Sequence, residues 1–571
     1  MDRDRTGEGD DTGTAAGLDE TKPDGRNETK PDGRNETKPD GRNETKPDGR
    51  NETKPDGRNE TKPDGRSGPA ATDDDDGPTP AAERDATADS EGTDPAAEGG
   101  SREPAAGPSA TSAADLPGRA ARTVTAARTA GDELAAWDPD DVDALVRSVG
   151  ERLADRETVS RFARSAANET GRGHPGTKAE KIATMLDAAR RTLRNAPTAG
   201  VVGRDGAAGT VTVAGPTGVV GAAVPATHPV VIPAVLSLYG LAARNAVVFA
   251  PSPSTVETCD VVVETVRRAL ADAGAPTGAV SMLPAPAAKP ETDALFERAD
   301  FAVAAGSEAT VTAGQRCGTP NVATSADGVV AVADGSLPSE AVATRVAVGA
   351  TYDFGAHPAG DAAVVTVTPA VDQLCSALEA EGGYVLEDAE RERLRAFLDE
   401  AGGDESAEAD PRGNSPRWLA AALDLPSAAR EAAFLVAESD GADDPLATLP
   451  GIPAVAVHGR SGFDAATALA AEIGSSHAAA VHTTQQRRAR EVAERLAPGR
   501  LVVNQPGIAA TGTRSNGFEA APVLGGGTAE ESQLCGGLTP DHLARTTTVA
   551  ATTVADEASH RNGAGDTLRG P

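Results

Sequence analysis

Apolar and polar residues change their spacing along this chain. Between about residues 140 and 195, apolar residues recur every three to four positions, which is the period of an amphipathic α-helix. The first predicted helix spans about 142–155 and follows the capping residue Asp138, and a second spans about 178–193. The apolar face of the first helix consists of Val142, Leu145, Val149 and Leu153.

Beyond residue 200, short apolar runs alternate with helical segments. Residues 210–214 alternate in polarity like a strand. Nine apolar runs predict buried strands: 219–224, 246–250, 302–305 and 329–333 in one half, then 363–368, 432–437, 454–457, 478–482 and 501–504 in the other. Predicted helices at 259–273 and 462–473 lie between some of them. Buried strands that alternate with helices indicate parallel sheets covered on both faces. The pattern therefore predicts an α/β protein with two α/β domains in succession.

The first 118 residues have none of this apolar patterning. An eight-residue unit recurs six times over residues 19–66, and its later copies read Asn-Glu-Thr-Lys-Pro-Asp-Gly-Arg. A unit with no apolar residue beyond proline buries nothing that would offset the entropy of ordering. We therefore expect a long disordered N-terminal tail, with folded structure beginning near Leu116. The repeat is either a functionless expansion or a solvating or tethering arm.

The charge of the chain is strongly acidic. Asp and Glu number 87 against 54 Lys and Arg, and the formal net charge is -33. Outside the repeat, the lysines are limited to Lys178, Lys181 and Lys289. An acidic, lysine-poor chain stays hydrated where salt screens charge, so we expect a halophilic, salt-rich setting. The same acidity excludes nucleic acid as a partner, because the basic surface that displaces counterions is missing.

The chain has four cysteines and no CxxC pair. With so few cysteines in 571 residues, a disulfide framework is not expected, and we assign no metal ligands. No apolar stretch reaches the length of a membrane helix, and no apolar segment follows the charged N-terminus. These features predict a cytoplasmic protein without a membrane partner. The cysteines are Cys259, Cys317, Cys375 and Cys535.

Short motifs occur in a fixed order along the folded region. In the first half, residues 169–173 read ETGRG, 215–220 read GPTGVV, 224–229 read VPATHP, 244–253 read RNAVVFAPSP, 273–278 read AGAPTG and 304–307 read AAGS. In the second half, residues 349–353 read GATYD, 477–483 read HAAAVHT, 502–506 read VVNQP, 525–528 read GGGT and 539–543 read TPDHL. From about Arg119 to Ala550, this series resembles the CoA-acylating (acetaldehyde/propionaldehyde) branch of the aldehyde dehydrogenases.

The resemblance implies a specific architecture. It implies a Rossmann-like nucleotide domain over 119–340 with a hairpin strand at about 207–216, a catalytic α/β domain over 341–542, and an oligomerisation strand and tail over 543–571. The hairpin strand and the β-rich segment 546–554 suit the small β hairpin through which family members form dimers or tetramers. The implied ligands are NAD or NADP, coenzyme A as co-substrate, and a small aldehyde or acyl-CoA.

The segment that carries the family nucleophile departs from the family pattern. The family places a cysteine directly after GASFD, in an N-N-L-P-C stretch, because its thiolate attacks the aldehyde carbon and forms a thioester. Here residues 354–360 read FGAHPAG and contain no Cys, Ser or Thr. His357 is the only potential nucleophile in this stretch. All four thiols are expected to be buried or incidental, and Cys535, in a predicted late loop, is the alternative nucleophile.

Further positions of the implied site have also changed. His228 stands where the family has the asparagine that donates to the oxyanion, and Leu449 stands where it has the ribose-binding glutamate. Ser252 replaces a histidine near the nucleotide. His477 is a candidate acid or base at CoA transfer, or else a histidine hydrogen-bonded at a strand start. The residues predicted to bind the cofactor are Pro225, Thr227, Pro251, Ser252, Gly306 and Ser307.

Three functions stay open at this point. The first is an NAD(P)-dependent aldehyde oxidoreductase that works without the usual cysteine. The second is a non-catalytic binding or scaffold paralogue that keeps the fold. The third is another enzyme on the same fold, such as a thioester hydrolase that uses His477 or His357.

Overall fold

The structure, a computed structural model, describes residues 116–550 except residues 286, 326, 402–409 and 475. Residues 1–115 of the predicted disordered tail, with all of its repeats, lie outside the described residues. The first described element is a helix over Leu116–Ala135, which the sequence pattern did not predict. Among the described residues, no helix has the length and apolarity needed to cross a bilayer.

The elements before residue 325 build the N-terminal domain and part of a small separate sheet. The helices are α1 (Leu116–Ala135), α2 (Pro139–Leu153), α3 (Arg156–Thr170), α4 (Pro175–Asn195), α5 (Val231–Ala242), α6 (Val256–Asp272), α7 (Lys289–Arg298) and α8 (Glu308–Arg316). The strands are β1 (Gly200–Asp205), β2 (Thr210–Pro216), β3 (Val219–Val224), β4 (Ala246–Pro251), β5 (Val280–Met282), β6 (Phe301–Ala305) and β7 (Asn321–Thr324).

The elements after residue 328 build the C-terminal domain and complete the small sheet. The helices are α9 (Ser339–Thr351), α10 (Val371–Ala380), α11 (Asp388–Ala401), α12 (Pro416–Ala422), α13 (Ser427–Glu431), α14 (Phe463–Ile473) and α15 (Gln486–Leu496). The strands are β8 (Val329–Ala333), β9 (Asp361–Val367), β10 (Gly383–Val385), β11 (Phe434–Glu438), β12 (Ala454–Arg460), β13 (Ala478–His482), β14 (Arg500–Val503), β15 (Leu524–Gly526), β16 (Cys535–Gly537) and β17 (Ala544–Ala550).

The N-terminal domain is a five-stranded parallel sheet in the order β5-β4-β3-β6-β7. Helices cover both faces, because successive strand residues point to opposite sides: Val219 packs in the cluster with α1, and Val220 packs in the cluster with α5 and α6. Helix α5 is apolar around its whole circumference, and all of its residues are buried. The strand order reverses between β3 and β6, which leaves a crevice at their carboxyl ends.

The C-terminal domain is a seven-stranded parallel sheet in the order β10-β11-β12-β9-β8-β13-β14. Strand β8 pairs with β9 and β13, so it belongs to this second sheet. The change of sheet therefore occurs between Thr324 and Val329, and the division at residues 340 and 341 drawn from the sequence does not follow the sheets. Strand β8 was predicted to belong to the first sheet, because its apolar run resembles the runs that precede it in the sequence.

A separate three-stranded antiparallel sheet has the order β1-β2-β17. The predicted strand at 210–214 is part of β2, and the predicted strand at 546–554 overlaps β17, with its last residues outside the described part. Strands β15 and β16 form a further antiparallel pair, in which Gly526 is paired with Cys535. The prediction that Cys535 lies in a loop was therefore wrong.

Candidate functional site

A cleft opens at the carboxyl ends of β3 and β6 and extends to residues that precede β9 and β13. We call it the central cleft. Its walls are mostly apolar, with a few hydroxyl and imidazole groups. The lining residues are Pro225, Thr227, His228, Ile232, Ala305, Gly306, Thr324, Ser325, Pro358, His477, Pro522, Val523 and Leu524.

The structure brings five of the predicted site residues together. These five are Pro225, Thr227, His228, Gly306 and His477. The other predicted cofactor residues lie outside the lining. Pro251 ends β4, and Ser252 follows it, with its Oγ 3.2 Å from Ser254 Oγ. Ser307 precedes α8 and directly follows Gly306.

The crevice between β3 and β6 fits the diphosphate of a dinucleotide. It is the point where the strand order reverses, and helix α8 presents its first amides there. Gly306 has φ 149°, which favours glycine, and an added Cβ would stand between Thr310 and Pro225. Leu449, which we expect at the ribose-binding position, is 2% exposed and lines a different cavity beside Arg412.

The loop after α9 holds an unusual backbone. Asp353, Phe354 and Gly355 all have positive φ, at 54°, 56° and 77°. Only glycine fits the third position, because an added Cβ would lie 2.2 Å from Ile452 O. Left-handed non-glycine residues are strained and persist where the surrounding contacts enforce them. The contacts around this loop therefore hold it in a costly backbone conformation.

This loop delivers Pro358 into the central cleft. Pro358 lines the cleft, and its carbonyl oxygen lies 3.0 Å from His477 Nε2. Counting from Asp353 in the motif that resembles the family, we expect residue 358, here a proline, to stand at the position of the family nucleophile. The contact shows His477 holding this loop at the start of β13, and its role as acid or base stays a prediction.

His357 is buried beside the cleft. It does not line the cleft, it is 6% exposed, and its Nδ1 accepts a hydrogen bond from Ala359 N at 3.2 Å. Burial and the nearby Lys181 charge lower the pKa of His357 to about 3, so the imidazole is neutral. This placement does not favour His357 as a nucleophile, which must reach a ligand in the cleft.

His228 lines the cleft as a neutral imidazole. Its ring centroid lies 5.7 Å from that of His357. Burial, followed by the charge of Lys181, holds the pKa of His228 well below its usual range. A neutral imidazole keeps one N–H donor, so the predicted role of His228 toward an oxyanion stays chemically possible.

A buried charged cluster lies directly behind the cleft, and the sequence analysis gave it no role. Lys178 and Lys181 both bind Oδ2 of Asp353, the first at 3.0 Å. The side chain of Asp353 is fully buried, and its Oδ1 accepts from His174 N. A sequence signal existed: two of the three lysines outside the repeat are spaced three residues apart, on one face of a helix.

All four cysteines lie outside the lining of the central cleft. Cys259 and Cys375 are buried in α6 and α10, and burial raises the pKa of both thiols, that of Cys375 to about 12. Cys317 Sγ lies 3.0 Å from Gly314 O and borders a surface cleft between α7 and α8. Cys535 is exposed on β16. No native thiol is therefore placed to act at Pro358.

A buried carboxyl at the start of β9 is expected to make stability depend on pH. Asp361 accepts from Gly507 N at 2.7 Å, and burial raises its pKa to about 8. The folded state thus favours the protonated acid. The contribution of protonated Asp361 to the free energy of unfolding is complete below about pH 4, the pKa of this side chain in the unfolded chain. It is lost as the pH rises through about 8.

Asp361→Asn is therefore expected to stabilise the protein more at pH 9 than at pH 5. The difference is up to about 4 kcal/mol, at about 1.4 kcal/mol per pKa unit. Urea denaturation at both pH values, in molar KCl, measures it. Equal effects at the two pH values would show that Asp361 is ionised in the folded protein.

Comparison with known proteins assigns the chain to one family. A profile of the "Aldehyde dehydrogenase family" matches residues 101–322. The sulfoacetaldehyde dehydrogenase (acylating) of Cupriavidus necator is 32% identical over 416 residues, which cover 72% of this chain and 84% of that protein. The chain therefore belongs to the aldehyde dehydrogenase family. Within it, the chain is of the CoA-acylating type, as the series of motifs had indicated.

Solved structures show the same fold. The acetylating aldehyde dehydrogenase of Geobacillus thermoglucosidasius matches with a TM-score of 0.71 and 22% identity, over 78% of this chain and 98% of that one. The propionaldehyde dehydrogenase of Rhodopseudomonas palustris, in a structure with bound CoA, matches with a TM-score of 0.67 and 22% identity, over 76% and 97%. The predicted fold class is confirmed.

Proposed function

We propose that this chain binds a nicotinamide dinucleotide and a CoA thioester or small aldehyde in the central cleft, without the covalent thioester step of its relatives. One observation carries the proposal: Pro358, and not a thiol, faces His477 in the cleft. A proline has no group that attacks a carbonyl carbon, so the covalent route has no starting point.

The binding half of the proposal rests on what the cleft retains. Thr227, His228 and Gly306 still line it, and the α8 amides still face the crevice. These residues would hold the diphosphate of NAD or NADP and orient a carbonyl toward an N–H donor. The bound cofactor would supply hydride chemistry. The CoA found in the Rhodopseudomonas relative makes coenzyme A the natural second ligand.

The competing function is an active NAD(P)-dependent aldehyde oxidoreductase. Two imidazoles, His228 and His477, line the cleft and favour it. The test measures NADH and NADPH formation from sulfoacetaldehyde, acetaldehyde or propionaldehyde with CoA in molar KCl, together with calorimetric titration of the same ligands. Binding without turnover supports the proposal. Turnover that persists in Cys535→Ser would establish the competing function, and release of free CoA from acyl-CoA would indicate a hydrolase.

The dinucleotide site is expected to depend on Gly306. In Gly306→Val, branched methyl groups enter the crevice between Pro225 and Thr310, and affinity for NAD+ or NADP+ should fall at least about tenfold, or 1.4 kcal/mol. Gly318→Val is the matched control, because Gly318 also has positive φ but follows the other end of α8, with open space around it. Titration calorimetry measures both variants. Equal losses of affinity would place the site elsewhere.

Assembly and setting complete the proposal. We propose a homo-oligomer formed through the three-stranded sheet, because β17 is an edge strand with exposed residues. We also propose a salt-rich cytoplasm, because a net charge of -33 repels itself strongly unless salt screens it. Light scattering across a KCl series tests the oligomer and its dependence on salt.

A further inference from the structure

We propose that Lys181 is a positioning residue of the central cleft. It fixes the distance between the segment after β3 and the loop that carries Pro358. The binding readouts below rest on the proposed function, and a thiol readout does not. Lys181 does not itself line the cleft, so it acts through the residues that it binds.

The ammonium group of Lys181 contacts two separate parts of the chain. Its Nζ donates to Thr227 O at 3.2 Å and to Ala356 O at 3.1 Å. Thr227 lines the cleft and precedes His228, and Ala356 lies two residues before Pro358. One side chain on α4 therefore ties together the wall that would face an oxyanion and the wall that would carry the nucleophile.

Every donor of this ammonium is used. A lysine ammonium has three N–H donors. Lys181 donates hydrogen bonds to Thr227 O, Ala356 O and the carboxylate of Asp353. The residue is 3% exposed, so leaving any of these bonds unmade would carry the cost of a buried unpaired donor. Full satisfaction fixes the distance between the two carbonyls.

Lys178 provides a matched comparison on the same helix. It is 2% exposed and binds the same Oδ2 of Asp353 at 3.0 Å. Removing either lysine leaves a neutral buried pair between Asp353 and the other lysine. The two removals differ in the carbonyl bonds to Thr227 and Ala356, which belong to Lys181.

Charged and titratable groups surround Lys181 on all sides. Burial is the largest influence on Lys181 and lowers its pKa to about 8, while Asp353 raises this pKa and Lys178 on the same helix lowers it. His228 and His357, whose own pKa values are lowered, are neutral neighbours of Lys181. Its charge is therefore present below about pH 8 and is lost above it, which gives the tie a measurable pH signature.

The test compares Lys181→Met with Lys178→Met in molar KCl. For Lys181→Met, we expect NAD+ affinity to fall at least about tenfold, since hydrogen bonds to charged groups are individually strong. Affinity for ADP-ribose, which lacks the nicotinamide ring, should change less than about threefold. In Lys178→Met, both affinities should stay within about threefold of the parent. Equal losses in the two variants would overturn the proposal.

The pH profile separates positioning from general stability. NAD+ affinity of the parent should decline above about pH 8. The decline should move to higher pH in Lys178→Met, because a like charge is gone, and should be missing in Lys181→Met. If Lys181 were merely structural, its replacement would lower the midpoint of unfolding but would not change the decline of NAD+ affinity above about pH 8. If NAD+ affinity declined at the same pH in Lys178→Met as in the parent, the proposal would be wrong.

A thiol placed in the cleft tests the tie without any ligand. In Pro358→Cys combined with Cys535→Ser, the rate of reaction with dithionitrobenzoate reports how tightly the loop is held. Adding Lys181→Met should raise this rate at least about fivefold, because loss of the tie raises local opening, and adding Lys178→Met should leave it within about twofold. If the parent fails to bind NAD+, the proposed function is wrong, and these rates still decide the role of Lys181.

Discussion

Replacing Pro358 with cysteine is expected to give this chain CoA-acylating aldehyde dehydrogenase activity that the parent lacks. The new thiol would stand in the cleft beside His228, on the loop whose left-handed residues are still in place. Because a thiolate supplies the covalent step that proline cannot, we expect turnover at least about 100-fold above the parental background, or about 2.7 kcal/mol of barrier. NADH formation with propionaldehyde and CoA in molar KCl measures it.

Two neighbouring substitutions control this experiment. Pro358→Ser relieves the proline in the same way but gives a hydroxyl, which is a much weaker nucleophile than a thiolate near neutral pH, so it should gain much less activity. Ala359→Cys places a thiol on a fully buried side chain next to the cleft and should gain much less. A mass increase of the Pro358→Cys protein on incubation with propionyl-CoA would identify the acyl-enzyme. High parental activity that Pro358→Cys does not increase would refute the idea of a lost nucleophile.

Removing the carboxylate of Asp353 is expected to cause the largest loss of stability among single substitutions in the site. Asp353 is the shared partner of two buried ammonium groups, Lys178 and Lys181. In Asp353→Asn, both cations lose their counter-charge in a dry environment. Breaking a buried pair in this way costs about 3–5 kcal/mol. Urea denaturation in molar KCl at pH 7 measures the loss.

A surface ion pair provides the matched control. Asp293 pairs with Lys289 at 3.3 Å, and both side chains are largely exposed. Asp293→Asn should therefore change stability by less than about 1 kcal/mol, since exposed pairs are screened and solvated. The cost of Asp353→Asn should also shrink above about pH 8, where Lys181 loses its charge. A loss as small as that of the control would mean that the lysines are neutral in the folded protein.

Much of the fold could be predicted from local pattern. The ten predicted strands all overlap observed strands. A short run such as 219–224, apolar on both faces, is typical of a strand buried inside a parallel sheet. Strands such as β5 and β10 were missed because three residues carry no periodic signal. The change of sheet at β8 could not be predicted from pattern, since which strands become neighbours is decided by tertiary packing.

Some residues that line the cleft could be predicted, because they belong to recognisable motifs. The motif spacing located Gly306, His228 and His477, which the cleft brings together. Single-residue spacing could not predict that His357 faces inward while Pro358 faces the cleft, because the left-handed backbone at Asp353 and Phe354 turns the loop. Thr324 and Ser325 were missed because two hydroxyl residues after a strand are common at any loop.

The order of synthesis has a consequence for the three-stranded sheet. Strands β1 and β2 pair locally, but the third strand follows almost the whole folded region, and Thr217 Oγ1 bonds Leu543 O across 326 residues. Until the ribosome has released that last segment, the edge of β2 has no neighbour. Nascent chains stalled before Ala544 should therefore be the forms of this protein that chaperones capture and that aggregate during expression.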